Sequence, residues 1–182
     1  MRVRVLKTDG TAEPYLHTKV LGTFHHALSA AGDPNLFAAE QMAQAVTYYL
    51  YNRPAPRTVT SDEIHLMILA VLEDTGHPAA AEALNQHRIG RKLLRKRIVV
   101  LNDNDSPDEQ TSAEAWSKSK IVEHLVRRCH LNRALARVIA GQVEEKVFRM
   151  EIFRIRKELI RHLVENETET MLRADEQLNI TL

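Results

Sequence analysis

Cysteine is almost absent from this chain: Cys129 stands alone among 182 residues. A single thiol excludes an intrachain disulfide framework and an all-cysteine zinc site. Aromatics are scarce too, at 5%, which favours Leu, Ile, Val and Ala packed between helices. No apolar run approaches the eighteen or so residues that cross a bilayer. Neither sign of charge is in excess, since 25 Lys and Arg face 24 Asp and Glu for a net charge of +1. No global field therefore points to nucleic acid or an anionic membrane. The chain shows no signal-peptide pattern, Met1 leading directly into a charged strand, so a soluble cytoplasmic protein is the expectation. Its length suits one ordinary domain or two small ones.

What is present reads as short strands and amphipathic helices. Val3, Val5 and Lys7 alternate onto one strand face, and Asp9-Gly10 supplies a tight hairpin turn. The 3.6-residue period of Val20, Phe24, Ala27 and Leu28 predicts a helix from about Thr18 to Ala31. Gly32-Asp33-Pro34-Asn35 ends it, and Met42, Ala43, Val46 and Leu50 predict a second helix from Leu36 to Tyr51. Thr58-Val59-Thr60 suits a third strand, and Ser61 or Thr60 caps a third helix reaching Thr75. After Gly76-His77-Pro78, a fourth helix begins at Ala79 and ends in a run from Arg88 to Arg97 with six cations and no acid. Such a run is an ordinary solvated helix end, because cations favour a helix C-terminus. No paired nucleophile and base, metal-ligand cluster or Gly-rich phosphate loop is evident. The pair His25-His26 lacks the i, i+4 spacing of a helical metal site. The chain reads as a non-enzyme.

Val5-Leu6-Lys7-Thr8-Asp9-Gly10, Glu13, Tyr15 and Lys19-Val20, followed by helix, helix, strand, helix, helix, resemble the ATP-cone over about ninety-five residues. That family is the nucleotide-sensing domain of many ribonucleotide reductases and of their bacterial repressors. The resemblance implies a small sheet of about three strands packed on a four-helix bundle, an α+β and predominantly helical fold. It implies that ATP or dATP, with or without Mg, is held by Lys7, Thr8, Glu13, Lys19, Ser61, His65, Arg88 and Arg91. Thr8 stands where the family usually has arginine. Without the resemblance, Lys7 and Lys19 read as solvated lysines and His65 as a polar-face residue.

The second half echoes the first. Ile98 to Leu101 reads as a strand, and Trp116 precedes Lys120 by the spacing that separates Tyr15 from Lys19. Val20, Phe24 and Leu28 match Ile121, Leu125 and Cys129 at an offset of about 101 residues. Ala39, Met42, Ala43, Val46 and Leu50 match Ala136, Ile139, Ala140, Val143 and Val147 at about 97, as a four-residue shorter loop would produce. This predicts a duplication, with a cone-like domain over 1–97 and a degenerate helical one over 98–182. In the second copy Asn102-Asp103-Asn104-Asp105 replaces the lysine hairpin, and Glu165-Asn166-Glu167-Thr168-Glu169 replaces the last helix. Carboxylates there repel a polyphosphate, so this copy is expected to keep the fold and lose the ligand. Trp116 is expected to pack as Tyr15 does, and residues 102–114 to form an exposed hairpin or loop.

The leading expectation is a non-catalytic, adenine-nucleotide-binding regulatory module that acts through self-association or a separate partner protein. Phe148 and Phe153 are candidate interface residues, since their helices carry more apolar positions than one buried stripe needs. The alternative is a degenerate cone serving as an oligomerisation or interaction scaffold without nucleotide. Nucleic-acid binding through Arg88 to Arg97 is weaker, lacking stacking aromatics and a helix-turn-helix pattern.

Overall fold

The computed structural model describes residues 3–8, 10–54, 58–103 and 113–180, with side chains described to residue 174. Asp9, and Asn104 and Asp105 with most of the acidic segment that follows, lie outside these. The described residues are predominantly helical, 70% of them in seven helices, with two three-stranded sheets. It divides into two compact units, Met1–Arg91 and Lys92–Leu182.

The first unit contains β1 (Arg4–Leu6), β2 (Ala12–Pro14), α1 (His17–Ala30), α2 (Leu36–Asn52), β3 (Thr58–Thr60), α3 (Ser61–Asp74) and most of α4 (Pro78–Arg97). Its sheet has the order β2-β1-β3, with β1 antiparallel to β2 and parallel to β3. Gly10 takes a positive φ of 80° in the turn, which a side chain would oppose. Val5 and Val59 pair across β1 and β3 and are buried. Beneath them lie Phe24 and Leu28 of α1, Met42, Val46 and Leu50 of α2, and Ile68 and Leu72 of α3. Ala80, Ala81 and Leu84 of α4 complete the same core.

The first turn of α3 is fixed by a capping box. The Thr60 hydroxyl accepts from Glu63 N–H at 3.0 Å, and the Glu63 carboxylate accepts from Thr60 N–H at 2.7 Å. Thr60 is thus the cap, and Ser61 is the first helical residue.

The second unit contains the end of α4, then β4 (Val99–Leu101), β5 (Glu114–Ala115), α5 (Lys118–Arg128), α6 (Arg133–Arg149), β6 (Arg154–Arg156) and α7 (Lys157–Ile180). Its sheet order, β5-β4-β6, has the same antiparallel and parallel senses. Asn132 caps α6 as Asn35 caps α2, each carboxamide oxygen accepting an N–H three residues on. All five α6 residues matched to the α2 stripe are buried. The boundary falls before Lys92 rather than after Arg97, because Arg95 pairs with Glu144 and Arg97 lies over the Phe153 ring at 4.1 Å.

Two expectations are corrected here. The shortening between the copies is mostly helical, since α1 has 14 residues and α5 has 11. With almost a turn removed, Cys129 becomes the C-cap of α5 and is exposed, not a core partner of Leu28's kind. His130 then takes φ 53° where the first unit places Gly32 at 87°. The second unit also lacks a four-helix bundle: among the described residues α7 is its last element, and the acidic run from Glu165 to Glu169 lies inside that helix.

Candidate functional site

The end of the first sheet brings together Lys7, Glu13, Lys19 and Ser61 of the expected binding residues. Lys7 continues β1, and the parallel register of Leu6 with Thr60 sets it at the same sheet end as Ser61. Lys19 lies in the first turn of α1. Both ammoniums reach the buried carboxylate of Glu13 on β2, Lys7 at 3.2 Å and Lys19 at 2.5 Å. The shared carboxylate holds both ammonium heads side by side.

Further along α3, the Arg88 guanidinium of α4 pairs with Asp62 and donates to the Ser61 carbonyl at 3.3 Å. His65 lies one turn beyond Ser61. Burial, aided by the Arg88 charge, lowers its pKa, so the ring is neutral near pH 7. Its Nε2 is buried without a hydrogen-bond partner among the described residues. Thr8 is exposed in the hairpin turn. Arg91, three residues past Arg88 on α4, is partly buried and engaged within the fold.

The aromatic that leads into each first helix is tied to the next helix in both units. Tyr15 Oη lies 2.7 Å from Thr47 Oγ1 of α2, and His17 Nδ1 lies 2.9 Å from the same hydroxyl. In the second unit Trp116 Nε1 donates to the Glu144 carboxylate of α6 at 3.0 Å. Trp116 and Tyr15 are both buried, as the spacing predicts. Glu144 is fully buried and receives a bidentate pair from Arg95 Nε and Nη2, at 2.8 and 2.9 Å.

The second unit has not lost its cations. Glu114 occupies the place of Glu13 and pairs with Lys120, the counterpart of Lys19. A second lysine, Lys157, reaches Glu114 at 2.7 Å from the first turn of α7. Its place answers to Ser61, because the register of Leu101 with Arg156 repeats that of Leu6 with Thr60. The second ammonium has therefore moved from the central strand to the neighbouring one while keeping its carboxylate. Lys120 and Lys157 together hold the Glu114 pKa down at about 2. Sequence comparison at one offset misses Lys157, since its counterpart is Ser61 and not Lys7.

Asp103 follows β4 as Thr8 follows β1, and it is no bare repulsive charge. Its carboxylate accepts the Glu158 N–H at 2.6 Å and pairs with Arg161. The second unit thus supplies its own anion to the start of α7, where the helix N–H groups and dipole favour one.

Beside this cluster lies a cavity of about 780 Å³ between α5 and α7. Trp116, Ile121, Ile160 and Val164 form apolar wall, and Cys129 and Thr168 extend it. Charged lining groups comprise Lys120, Lys157 and Arg161 against Asp103, Glu114, Glu165 and Glu169. Sequence reasoning placed nothing here.

The expected interface residues separate. Phe148 is partly buried against the second core, so it is not an exposed anchor. Phe153 is exposed at its edge and covered by the Arg97 guanidinium. The larger exposed aromatics are Phe37, Tyr48 and Tyr49 of α2.

Among the described residues, no group of three or more His, Cys, Asp or Glu is placed to hold a metal ion, and no helix is long and apolar enough to cross a membrane. No protein-family model matches the chain, and no curated protein is similar to it.

Proposed function

We propose that the chain is a non-catalytic regulatory module of the ATP-cone kind whose first unit binds an adenine nucleotide, ATP or dATP. The observation that carries this reading is the convergence of Lys7 and Lys19 on buried Glu13, at the sheet end that also presents Ser61. Two ammoniums held side by side are donors of the kind that phosphate oxygens accept from. His65, one turn along α3 from Ser61, would stand toward the base or ribose end of the nucleotide, with its pKa lowered by burial. Arg88 and Arg91, with Mg when present, would balance the remaining phosphate charge, Arg88 by exchanging Asp62 for a phosphate oxygen. Output passes through self-association or a partner protein.

The test is a thermal-shift and calorimetric panel of ATP, dATP, ADP, GTP and cyclic dinucleotides on the whole chain. At a hundred times its dissociation constant, a ligand of the folded state stabilises it by about 2.7 kcal/mol. A flat response across the panel overturns the proposal.

A second reading, a scaffold without nucleotide, draws on the exposed aromatics Phe37, Tyr48 and Tyr49 of α2. The flat panel, with concentration-dependent self-association, is its signature. Nucleic-acid binding through the basic run loses ground, because Arg88, Arg95 and Arg97 are engaged with Asp62, Glu144 and Phe153.

A further inference from the structure

In the first unit, α4 lies over the groove between α1 and α3. Its His87 ring meets His26 of α1 with centroids 5.0 Å apart, its Arg88 meets Asp62 and Ser61 of α3, and Ala80, Ala81 and Leu84 enter the core. The matching groove of the second unit, between α5 and α7, is the cavity bounded by Ile121 and His124 on one side and Ile160, Val164 and Thr168 on the other. Its lining runs along α7 from Lys157 to Glu169, about 18 Å at the rise of an α-helix, or some three turns. Lining cations, Lys120, Lys157 and Arg161, are outnumbered by the carboxylates of Asp103, Glu114, Glu165 and Glu169. A polyphosphate is therefore a poor occupant, and a shape that covers apolar walls over three turns is a good one.

We infer that the α5/α7 groove of the second unit docks an amphipathic helix from a separate protein, in the way α4 covers the α1/α3 groove of the first. The chemistry of that helix follows from α4 and from the rim. Small residues and a leucine one turn on face the walls, as Ala80, Ala81 and Leu84 do. A cation one turn further meets the acidic edge of α7, where Glu158, Glu165 and Glu169 are well exposed, as Arg88 meets Asp62. The inference rests on the repeat and the groove, and not on nucleotide binding.

The chain's single tryptophan and single cysteine both line this groove, so the full-length protein carries its own reporters. The probe is a synthetic peptide with the sequence of residues 78–97, titrated into the protein while Trp116 emission and the alkylation rate of Cys129 are followed. The expected result is a saturable change in Trp116 emission and about tenfold slower alkylation of Cys129 at saturation. Thr168→Arg, on the partly buried wall, should weaken peptide binding about tenfold, or 1.4 kcal/mol. Prior coupling of a bulky maleimide to exposed Cys129 should block the peptide without altering the fold by circular dichroism.

No response to millimolar peptide overturns the inference. So does a Trp116 response to ATP, dATP or ADP with none to the peptide, which would make the groove a small-molecule site. A Trp116 signal that varies with protein concentration alone, and follows dimerisation in sedimentation, would assign the groove to a second copy instead.

Discussion

The two units share one plan and fill it differently. Each sets a glutamate on the edge strand beside the central one, a lysine in the first turn of the following helix and a second lysine at the far sheet end. In the first unit the second ammonium comes from Lys7 on the central strand, and in the second from Lys157 on its parallel neighbour. What both retain is a place in space and not a place in the sequence. The first unit covers its groove with α4, and among the described residues its His65 Nε2 is buried without a partner. The second supplies Asp103 to Arg161 and the start of α7, and among the described residues its groove is open. One unit thus covers its groove with α4, and among the described residues the other does not.

The comparison breaks most visibly at the aromatic anchor. Thr47 and Glu144 hold equivalent positions, but only Glu144 is a buried charge. Arg95→Ala removes the bidentate partner of that buried carboxylate and should cost about 3–5 kcal/mol. Thr47→Ala removes neutral hydrogen bonds and should cost about 1 kcal/mol. Urea unfolding followed by Trp116 emission and by circular dichroism measures both. Equal losses would mean that the Glu144 pair is open to water.

Nucleotide affinity gives the next contrast. Lys7→Ala and Lys19→Ala should each weaken ATP or dATP by about 1.5–3 kcal/mol per charge-assisted contact, whereas Lys120→Ala should leave affinity unchanged. Calorimetry on the three variants decides it, and equal losses at Lys19 and Lys120 would show that the second unit binds too.

The smallest effect is the acid response of the second unit. Glu114 sits at about 2 when folded against an ordinary 4.5. A depressed carboxyl stabilises the fold above its unfolded value, and this contribution disappears as pH falls from 4.5 toward 2. Glu114 and Lys157 are each more than a third exposed, so solvent screening keeps the contribution to about 1 kcal/mol or less. Glu114→Gln should flatten that part of the pH profile of Tm, and an unchanged profile would assign the acid sensitivity elsewhere.

Much of this architecture is legible in residue order. Helical stripes such as Val20-Phe24-Ala27 and Ala136-Ile139-Val143 report burial directly, because packing repeats with the period of the helix. The Asn caps and the Tyr15 and Trp116 spacings are local, and so they are readable. What stays hidden depends on three-dimensional register. Whether a four-residue deletion falls in a loop or removes most of a helical turn decides the fate of Cys129, and periodicity alone does not separate the two. Lys157 becomes a partner of Glu114 only once β6 lies parallel to β4. Among the described residues no element of the second unit takes the place of α4 beside the cavity, and such an absence leaves no motif. Phe148 and Phe153 look alike in sequence, yet one packs on the core and the other lies under Arg97.

The parallel strand pairs carry a kinetic consequence. Val5 meets Val59, and Val100 meets Ile155, across 54 and 55 positions of chain. The helix pairs α1/α2 and α5/α6 are joined by short loops and close far smaller segments. Loop-closure entropy delays distant pairings, so each helical hairpin should form before its sheet is complete. Val59→Ala should accordingly show a φ-value near zero, and Ala43→Gly a clearly higher one. The lysine–glutamate clusters belong to the late-forming sheet ends, so any anion they hold would act as a brake on unfolding and leave the folding rate almost unchanged.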